Sequence, residues 1–274
     1  MDQIILHLSW RKNIKKFIFE NGDYYKLPCS FFSWQGLEHL VLKDCDIKLP
    51  LMFICFSMLK SLVFEDITIT ANTLKRFLTG CPLLEEFALI GCNQEKFSRA
   101  NKCTFVELFK CLPSVQVVNI SRIYTKQFTL GGMPQKLPTS LVHLRILVLE
   151  VCIHEQHELS SILCLIHSSP NLEKIKMRMV RHFGETFNTL VDLQDYSGLN
   201  LDHLKELEIT SFNCYALEME FVKLIMAKSH VLKKARINLN YIVSVDEEVK
   251  MLRDLLLLPF PRASAAAKLI IDRR

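Results

Sequence analysis

Apolar and polar positions along this chain follow one spacing over and over. The stretch Leu144-Arg145-Ile146-Leu147-Val148-Leu149-Glu150-Val151-Cys152 carries apolar residues at offsets 0, 3, 5 and 8 (Leu144, Leu147, Leu149 and Cys152). Between them, Ile146, Val148 and Glu150 occupy the alternate positions. In an extended segment successive side chains point to opposite faces, so Leu147 and Leu149 are predicted to face a core and the other three to face away.

The same offsets return at Ile14, Phe17, Phe19; at Leu37, Leu40, Leu42, Cys45; and at Leu59, Leu62, Phe64, Ile67. They recur at Leu84, Phe87, Leu89, Cys92; at Val115, Val118, Ile120, Ile123; and at Leu172, Ile175, Met177, Val180. Leu204, Leu207, Ile209, Phe212 and Leu232, Ala235, Ile237, Asn240 complete the series. This is the leucine-rich-repeat strand signature. Steps between copies run from 22 residues (Leu37 to Leu59) to 32 (Leu172 to Leu204). The short steps leave little room for a returning helix, whereas the long ones hold two to three turns, and parallel strands need such crossovers. The predicted fold is α/β: a leucine-rich-repeat solenoid with a curved parallel sheet and outer helices.

A second repeated signal precedes four strands: Phe77 to Leu89, Leu108 to Ile120, Leu165 to Met177 and Ile225 to Ile237. Each reads as a helix end, a break, then a strand. Pro82, Pro113 and Pro170 supply the break, because proline disfavours helix in the residue before it; the fourth copy has His230. Asn72 and Thr73 read as the N-terminal cap of the first of these helices. Asn93 to Lys102 reads as a loop, Tyr124 to Ser140 (with Gly131, Gly132, Pro134 and Pro138) as an irregular excursion, and His182 to Asn200 as a variable insertion.

Composition narrows the class. Half of the 274 residues are hydrophobic and 23% are charged, enough apolar material for a full core. The net charge of +5 falls short of the dense basic stripe of a nucleic-acid binder. No apolar run approaches a membrane span, and Ile4 to Leu8 is too short for the core of a secretory signal. Ten cysteines without such a signal read as reduced thiols, in the cytoplasm or nucleus. Cys45, Cys92 and Cys152 share offset 8, where a small hydrophobe fits a tight turn.

From Leu201 the chain holds further local features. Leu204 to Phe212 is followed by Leu217-Glu218-Met219-Glu220-Phe221-Val222-Lys223-Leu224-Ile225, Val231-Leu232-Lys233-Lys234, and Leu256-Leu257-Leu258-Pro259-Phe260-Pro261-Arg262-Ala263-Ser264 before a last apolar strand at Lys268 to Asp272. With Tyr25-Lys26-Leu27-Pro28 and Cys81-Pro82-Leu83-Leu84-Glu85, these resemble the plant F-box/FBD/leucine-rich-repeat proteins. The resemblance implies a repeat region over 1–200 and an FBD-type module over 201–274 that continues the solenoid. It further implies non-catalytic protein recognition, as the target-holding part of a cullin-RING (SCF-type) ubiquitin ligase subunit. Residues 1–13 precede the first repeat, too few for an F-box, so contact with the ligase adaptor is expected only through an F-box upstream. The region between Cys92 and Phe105 reads as shortened relative to the family.

Two other function classes stay open: a free-standing interaction or decoy protein with no ligase link, and an enzyme with a site borne on loops. His154-Glu155-Gln156-His157-Glu158, with Cys152, is the best metal candidate, but it is not H-E-x-x-H and also reads as a solvated loop. No G-x-S-x-G, phosphate loop or dinucleotide fingerprint occurs. Neither catalytic, cofactor nor metal residues are expected. Lys15-Lys16 and Lys233-Lys234 read as solvated surface, and Trp10-Arg11-Lys12 as an edge cluster covering an open end or stacking on a ring.

The candidate site is therefore the sheet face away from the core. With strands in register, Lys174, Glu206 and Lys234 form one row and Lys176, Glu208 and Arg236 the next. Ala88, Ile90, Val117, Ile146 and Val148 put apolar groups on the same face, which a solvated face does not need. The expectation is a protein target docked on Ala88, Ile90, Val117, Ile146 and Val148, oriented by Lys174, Lys176, Glu206 and Glu208. The alternatives are a self-neutralised ladder and a patch covered by the Tyr124 to Ser140 loop. No nucleic acid or membrane partner is expected.

Overall fold

The repeated offsets become strands whose equivalent residues stand beside one another. The computed structural model describes residues 2–9, 14–53, 55–91, 97–98, 103–129, 134–180, 198–257 and 267–273. They fall in two compact units, Met1–Gly131 and Gly132–Arg274.

The first unit contains, in order, α1 (Asp2–Ser9), β1 (Lys16–Lys26), a 3-10 turn (Cys29–Ser33), β2 (His39–Asp46), β3 (Ser61–Glu65), β4 (Ile69–Thr70), α2 (Ala71–Thr79), β5 (Glu86–Ile90), β6 (Phe97–Ser98), α3 (Phe105–Lys110), β7 (Val117–Ile120) and α4 (Arg122–Thr129). Strands β1, β2, β3, β5 and β7 form a parallel sheet in sequence order, and β4 pairs with β6 separately. Offset-3 residues line up as Phe17, Leu40, Leu62, Phe87 and Val118, and offset-5 residues as Phe19, Leu42, Phe64, Leu89 and Ile120. Phe17 is half-buried on the first strand and the rest are buried.

The second unit contains β8 (Ile146–Val151), α5 (Gln156–His167), β9 (Lys174–Met179), β10 (Glu206–Phe212), α6 (Ala216–Ala227), β11 (Lys234–Leu239), α7 (Val245–Leu257) and β12 (Lys268–Arg273). Its strands are again parallel and in sequence order. The rows are Leu147, Ile175, Leu207, Ala235, Leu269 and Leu149, Met177, Ile209, Ile237, Ile271. All are buried except Leu269 and Ile271 on the last strand, which are half-buried.

The way the chain leaves its strands explains offset 8. Asp44, Asp66 and Ser211, all at offset 7, adopt positive φ of 52°, 49° and 57°. Aspartate tolerates this left-handed conformation better than most side chains. The turn drops Cys45, Ile67 and Phe212 into the core at 0% exposure. Cys152 is equally buried, and Cys92 lies outside the described residues.

Where the repeats are short, aromatic residues take the place of a helix. Phe31, Phe56 and Phe77 pack with ring centroids 5.8 Å (Phe31–Phe56) and 5.5 Å (Phe56–Phe77) apart, and Phe53 stacks on Phe77 at 5.7 Å. Gly80 ends α2 against this cluster: a Cβ there would lie 2.8 Å from the Phe53 ring and 3.3 Å from the Cys55 backbone.

Helix ends follow the expected breaks. Pro82, Pro113 and Pro170 each stand two residues beyond a C-cap (Gly80, Cys111 and Ser168), and His230 stands two beyond Lys228. The α2 cap is Thr70, whose Oγ1 accepts the Thr73 N–H at 3.1 Å, two residues earlier than Asn72. The excursion expected from Tyr124 to Ser140 opens instead as part of α4. There Tyr124, Thr125 and Phe128 are buried at helical spacing, and Phe128 packs 5.2 Å from Phe105 of α3. Gly91 leaves room for the Tyr124 ring, since a Cβ would meet it at 3.1 Å. Most of Asn93 to Lys102 and His182 to Asn200, the Trp10-Arg11-Lys12 cluster and the Phe260 to Ser264 motif lie outside the described residues.

Candidate protein-binding faces

In the first unit, the face away from the core is built by the residue between each buried pair. Offset 4 gives the row Ile18, Val41, Val63, Ala88 and Asn119, adjacent strand by strand. Ile18 is 58% exposed, and Val41, Val63 and Ala88 are half-buried. Four apolar side chains thus cross four strands spaced about 4.8 Å apart.

Polar rows frame that line. Two residues along the strands lie Glu20, Lys43, Glu65 and Ile90. The Lys43 ammonium is 2.7 Å from Glu20 and 3.5 Å from Glu65, and these two carboxylates, Glu20 foremost, hold its pKa above the ordinary lysine value. On the other side run Lys16, His39, Ser61, Glu86 and Val117. The structure therefore places Ala88 at the end of an apolar row, Ile90 at the end of a charged one and Val117 at the end of a polar one. Ile18, Val41 and Val63 escape a reading that begins from the middle of the chain. Reading offset 4 down every repeat finds them.

In the second unit the expected ladder forms. Ile146, Lys174, Glu206, Lys234 and Lys268 make one row. Val148, Lys176, Glu208, Arg236 and Ile270 make the next. Lys174 binds the Glu206 carboxylate, and this hydrogen bond, more than any other influence, holds the Glu206 pKa below the usual carboxylate range. Lys176 lies 3.3 Å from Glu208, and Arg178 lies 3.1 Å from Glu150 in the row beyond. At the strand entrances Glu173 is shared between Lys205 at 2.6 Å and Arg145 at 3.5 Å, and its pKa is lowered chiefly by the Lys205 hydrogen bond. Ile146 and Val148 stand at the β8 end of the two rows, half-buried.

The other candidates have structural uses. Glu158 is buried and its Oε2 accepts the Cys152 backbone N–H at 2.7 Å, so it closes the turn between β8 and α5. His154 meets the Tyr215 ring edge-on at 5.0 Å. Among the described residues no group of three His, Cys, Asp or Glu side chains converges as a metal site would require. Burial pushes the thiols of Cys45, Cys81 and Cys103 up to about 12 and that of Cys164 up to about 11, opposite to the shift that activates a cysteine nucleophile. Among the described residues no helix is long and apolar enough to cross a membrane.

Comparisons with known proteins agree with this architecture. Residues 3–121 match the family model described as "FBD-associated F-box protein At5g56370, LRR repeats", and residues 200–237 match the FBD model. The first match lies within the first unit. The second covers β10, α6 and the start of β11. The chain is similar to the F-box/FBD/LRR-repeat protein At1g13570 of Arabidopsis thaliana, with 27% identity over 320 aligned residues that cover 98% of this chain and 76% of the relative. It is also similar to the F-box/FBD/LRR-repeat protein At1g51370 of Arabidopsis thaliana, with 24% identity over 280 residues that cover 79% of this chain and 64% of the relative.

Proposed function

We propose that this chain, which belongs to the F-box/FBD/leucine-rich-repeat family, holds a protein target on the outward faces of its sheets and does so without catalysis. The observation that carries the reading is the row Ile18, Val41, Val63 and Ala88, framed by Glu20, Lys43 and Glu65. A solvated sheet face gains nothing from a line of aliphatic groups left partly open to solvent, whereas an apolar strip rimmed by charge is the usual anatomy of a docking site. In the second unit Ile146 and Val148 provide a smaller apolar step beside a charged ladder that sets orientation.

The relatives' printed names join an F-box to the FBD and the repeats. By the resemblance to that family, adaptor docking would belong to the F-box. The reading for this chain is the target-recognition half of an SCF-type ubiquitin ligase subunit. Ala88, Ile90, Val117, Ile146, Val148, Lys174, Lys176, Glu206 and Glu208, together with Ile18, Val41 and Val63, are its proposed contact residues, and 201–274 its FBD-type module.

The experiment compares proteins retained from plant extract by the parent chain, by Val41→Glu/Val63→Lys and by Ile146→Glu/Val148→Lys, with urea unfolding midpoints measured alongside. A retained protein lost from either variant at an unchanged midpoint supports a binding face. A collapsed midpoint means that those residues are core and removes the site. Purified adaptor is added in a separate arm, where a stoichiometric complex with this chain alone would assign adaptor docking to the repeats or the FBD.

A further inference from the structure

The ladder of the second unit is not balanced along its length. At the strand entrances stand Arg145, Glu173, Lys205 and Lys233, and in the row beside them Lys174, Glu206, Lys234 and Lys268. Six cations face two acids. Both acids are already engaged: Glu173 by Arg145 and Lys205 on either side of it, and Glu206 by Lys174 on its β9 side. At the other end Lys234 and Lys268 are direct cross-strand partners, and the Lys268 N–H donates to the Lys233 carbonyl at 2.9 Å, which brings the backbones of the three lysines together at one corner. Among the described residues Lys233, Lys234 and Lys268 have no ion pair with a carboxylate.

Like charges directly opposite each other in a sheet are destabilising. The fold does place a carboxylate on β12 where it is useful, since Asp272 lies 3.5 Å from Arg236. At 268 it places a lysine instead. A cost of this kind is offset when a partner brings the missing negative charge.

We propose that this corner, Lys233, Lys234 and Lys268 with Lys205 beside them, docks an acidic segment of the bound protein, a run of Asp and Glu side chains. The proposal rests on reading the sheet face as a protein-binding surface and names the chemistry of its partner. A peptide fits better than a nucleic acid for two reasons. Glu173, Glu206 and Glu208 interrupt the basic rows and repel a continuous phosphate backbone. The rows also hold no aromatic side chain on which a base could stack. Ile270, two residues along from Lys268, offers an apolar contact to the next outward side chain of an extended peptide, at the strand repeat of about 6.6–6.8 Å.

The test is fluorescence anisotropy of a labelled decaglutamate peptide with the full chain at about 50 mM and about 200 mM salt. Variants are Lys234→Glu/Lys268→Glu and the milder Lys234→Gln/Lys268→Gln, with the exposed Lys110→Glu/Lys136→Glu, off the sheet, as a control and oligothymidylate of matched charge as the competing probe. Saturable binding that weakens with salt, falls about tenfold or more in the glutamine pair and is unchanged in the control supports the proposal. No saturable binding by the parent, or equal binding by a folded variant, overturns it. Tighter binding of oligothymidylate at the same lysines replaces it with a nucleic-acid site. The glutamine pair decides the matter if the glutamate pair does not fold. Decaglutamate failing while target capture still depends on Ile146 and Val148 removes the acidic segment and leaves the protein-binding face. Decaglutamate binding at Lys234 and Lys268 while capture ignores both apolar rows does the reverse.

Discussion

Glu218 holds Asn213 twice: its Oε2 accepts the Asn213 backbone N–H at 2.8 Å and its Oε1 accepts the Asn213 side-chain amide at 3.1 Å. The pair closes the turn between β10 and α6, with Glu218 2% exposed. Glu158 does the same for Cys152 between β8 and α5. Both glutamates are the third residue of their helix, as are Glu107 in α3 and Glu247 in α7. In α3 and α7 that glutamate reaches back to the N-cap amide, 3.1 Å from Thr104 N and 2.8 Å from Ser244 N, as a capping box does. In α5 and α6 the N-cap residues Glu155 and Tyr215 make no side-chain cap bond, and the carboxylate reaches back past the N-cap to the residue just after the strand, Cys152 or Asn213. Glu218→Ala leaves a buried amide without its acceptor and is expected to cost about 1–3 kcal/mol. Glu218→Gln keeps one acceptor and is expected to cost less. Urea unfolding of the two variants measures this, and equal midpoints for alanine and parent would show that the turn does not depend on the carboxylate.

Burial raises the Glu218 carboxyl pKa above the ordinary value, and the Asn213 hydrogen bonds offset only part of that rise. A carboxyl whose pKa is higher folded than unfolded contributes stability that is present below the unfolded value. That contribution is lost as pH climbs through the folded one. The window therefore opens near the usual carboxylate pKa of about 4.3 and extends upward. Glu218→Gln cannot ionise, so the stability difference between parent and variant is expected to shift in the variant's favour as pH rises through that window. Glu173 and Glu206, whose lowered pKa values act in the opposite direction, are common to both proteins and cancel. Paired unfolding curves at several pH values decide it, and a pH-independent difference would remove the shift.

Leu149 is 1% exposed on β8 and stands in register with Met177. Leu149→Ala is expected to cost about 2–5 kcal/mol through lost burial and the cavity left behind. Because each repeat packs on its neighbours, amide protection should fall first across β8 and β9. Hydrogen exchange showing unchanged protection from Leu144 to Val180 would contradict the packing described here.

Every offset-3 and offset-5 residue named from the sequence on a described strand faces its predicted side. That pattern was legible because a strand's period of two leaves no freedom once one face is buried. The charged rows followed for the same reason: equal offsets in parallel strands fall side by side, so Lys174, Glu206 and Lys234 could be placed without coordinates. Helices outside the repeat were harder. In α4, Tyr124, Thr125 and Phe128 are buried, yet the glycines and prolines just after them suggested a loop. In α7 the sequence does carry a signal: Ser244 and Glu247 form the capping-box pattern, and Met251 and Leu255 give the buried i, i+4 pair. For the candidate faces, offset alone puts Ala88 and Val148 on the outward side of their strands, and the same offset puts Ile18, Val41 and Val63 there in early repeats whose polar neighbours Glu20, Lys43 and Glu65 mask the apolar line.

Lys174 and Lys234 flank Glu206 on neighbouring strands, and only Lys174 takes its carboxylate. Lys174→Met removes that hydrogen bond, so the Glu206 pKa is expected to rise toward the ordinary carboxylate value. The pair is half exposed, so the loss of stability should stay near the low end of about 0.2–1 kcal/mol. The larger effect is a change of partner. Freed from Lys174, the Glu206 carboxylate turns to Lys234 and neutralises one cation of the basic corner. Lys174→Met is therefore expected to weaken decaglutamate binding even though its own side chain is two strands away from Lys234. A carbon-detected NMR titration of Glu206 reports the pKa, and anisotropy reports the affinity. A raised pKa with undiminished peptide binding would show that Glu206 does not reach the corner, and that Lys233 and Lys268 suffice there.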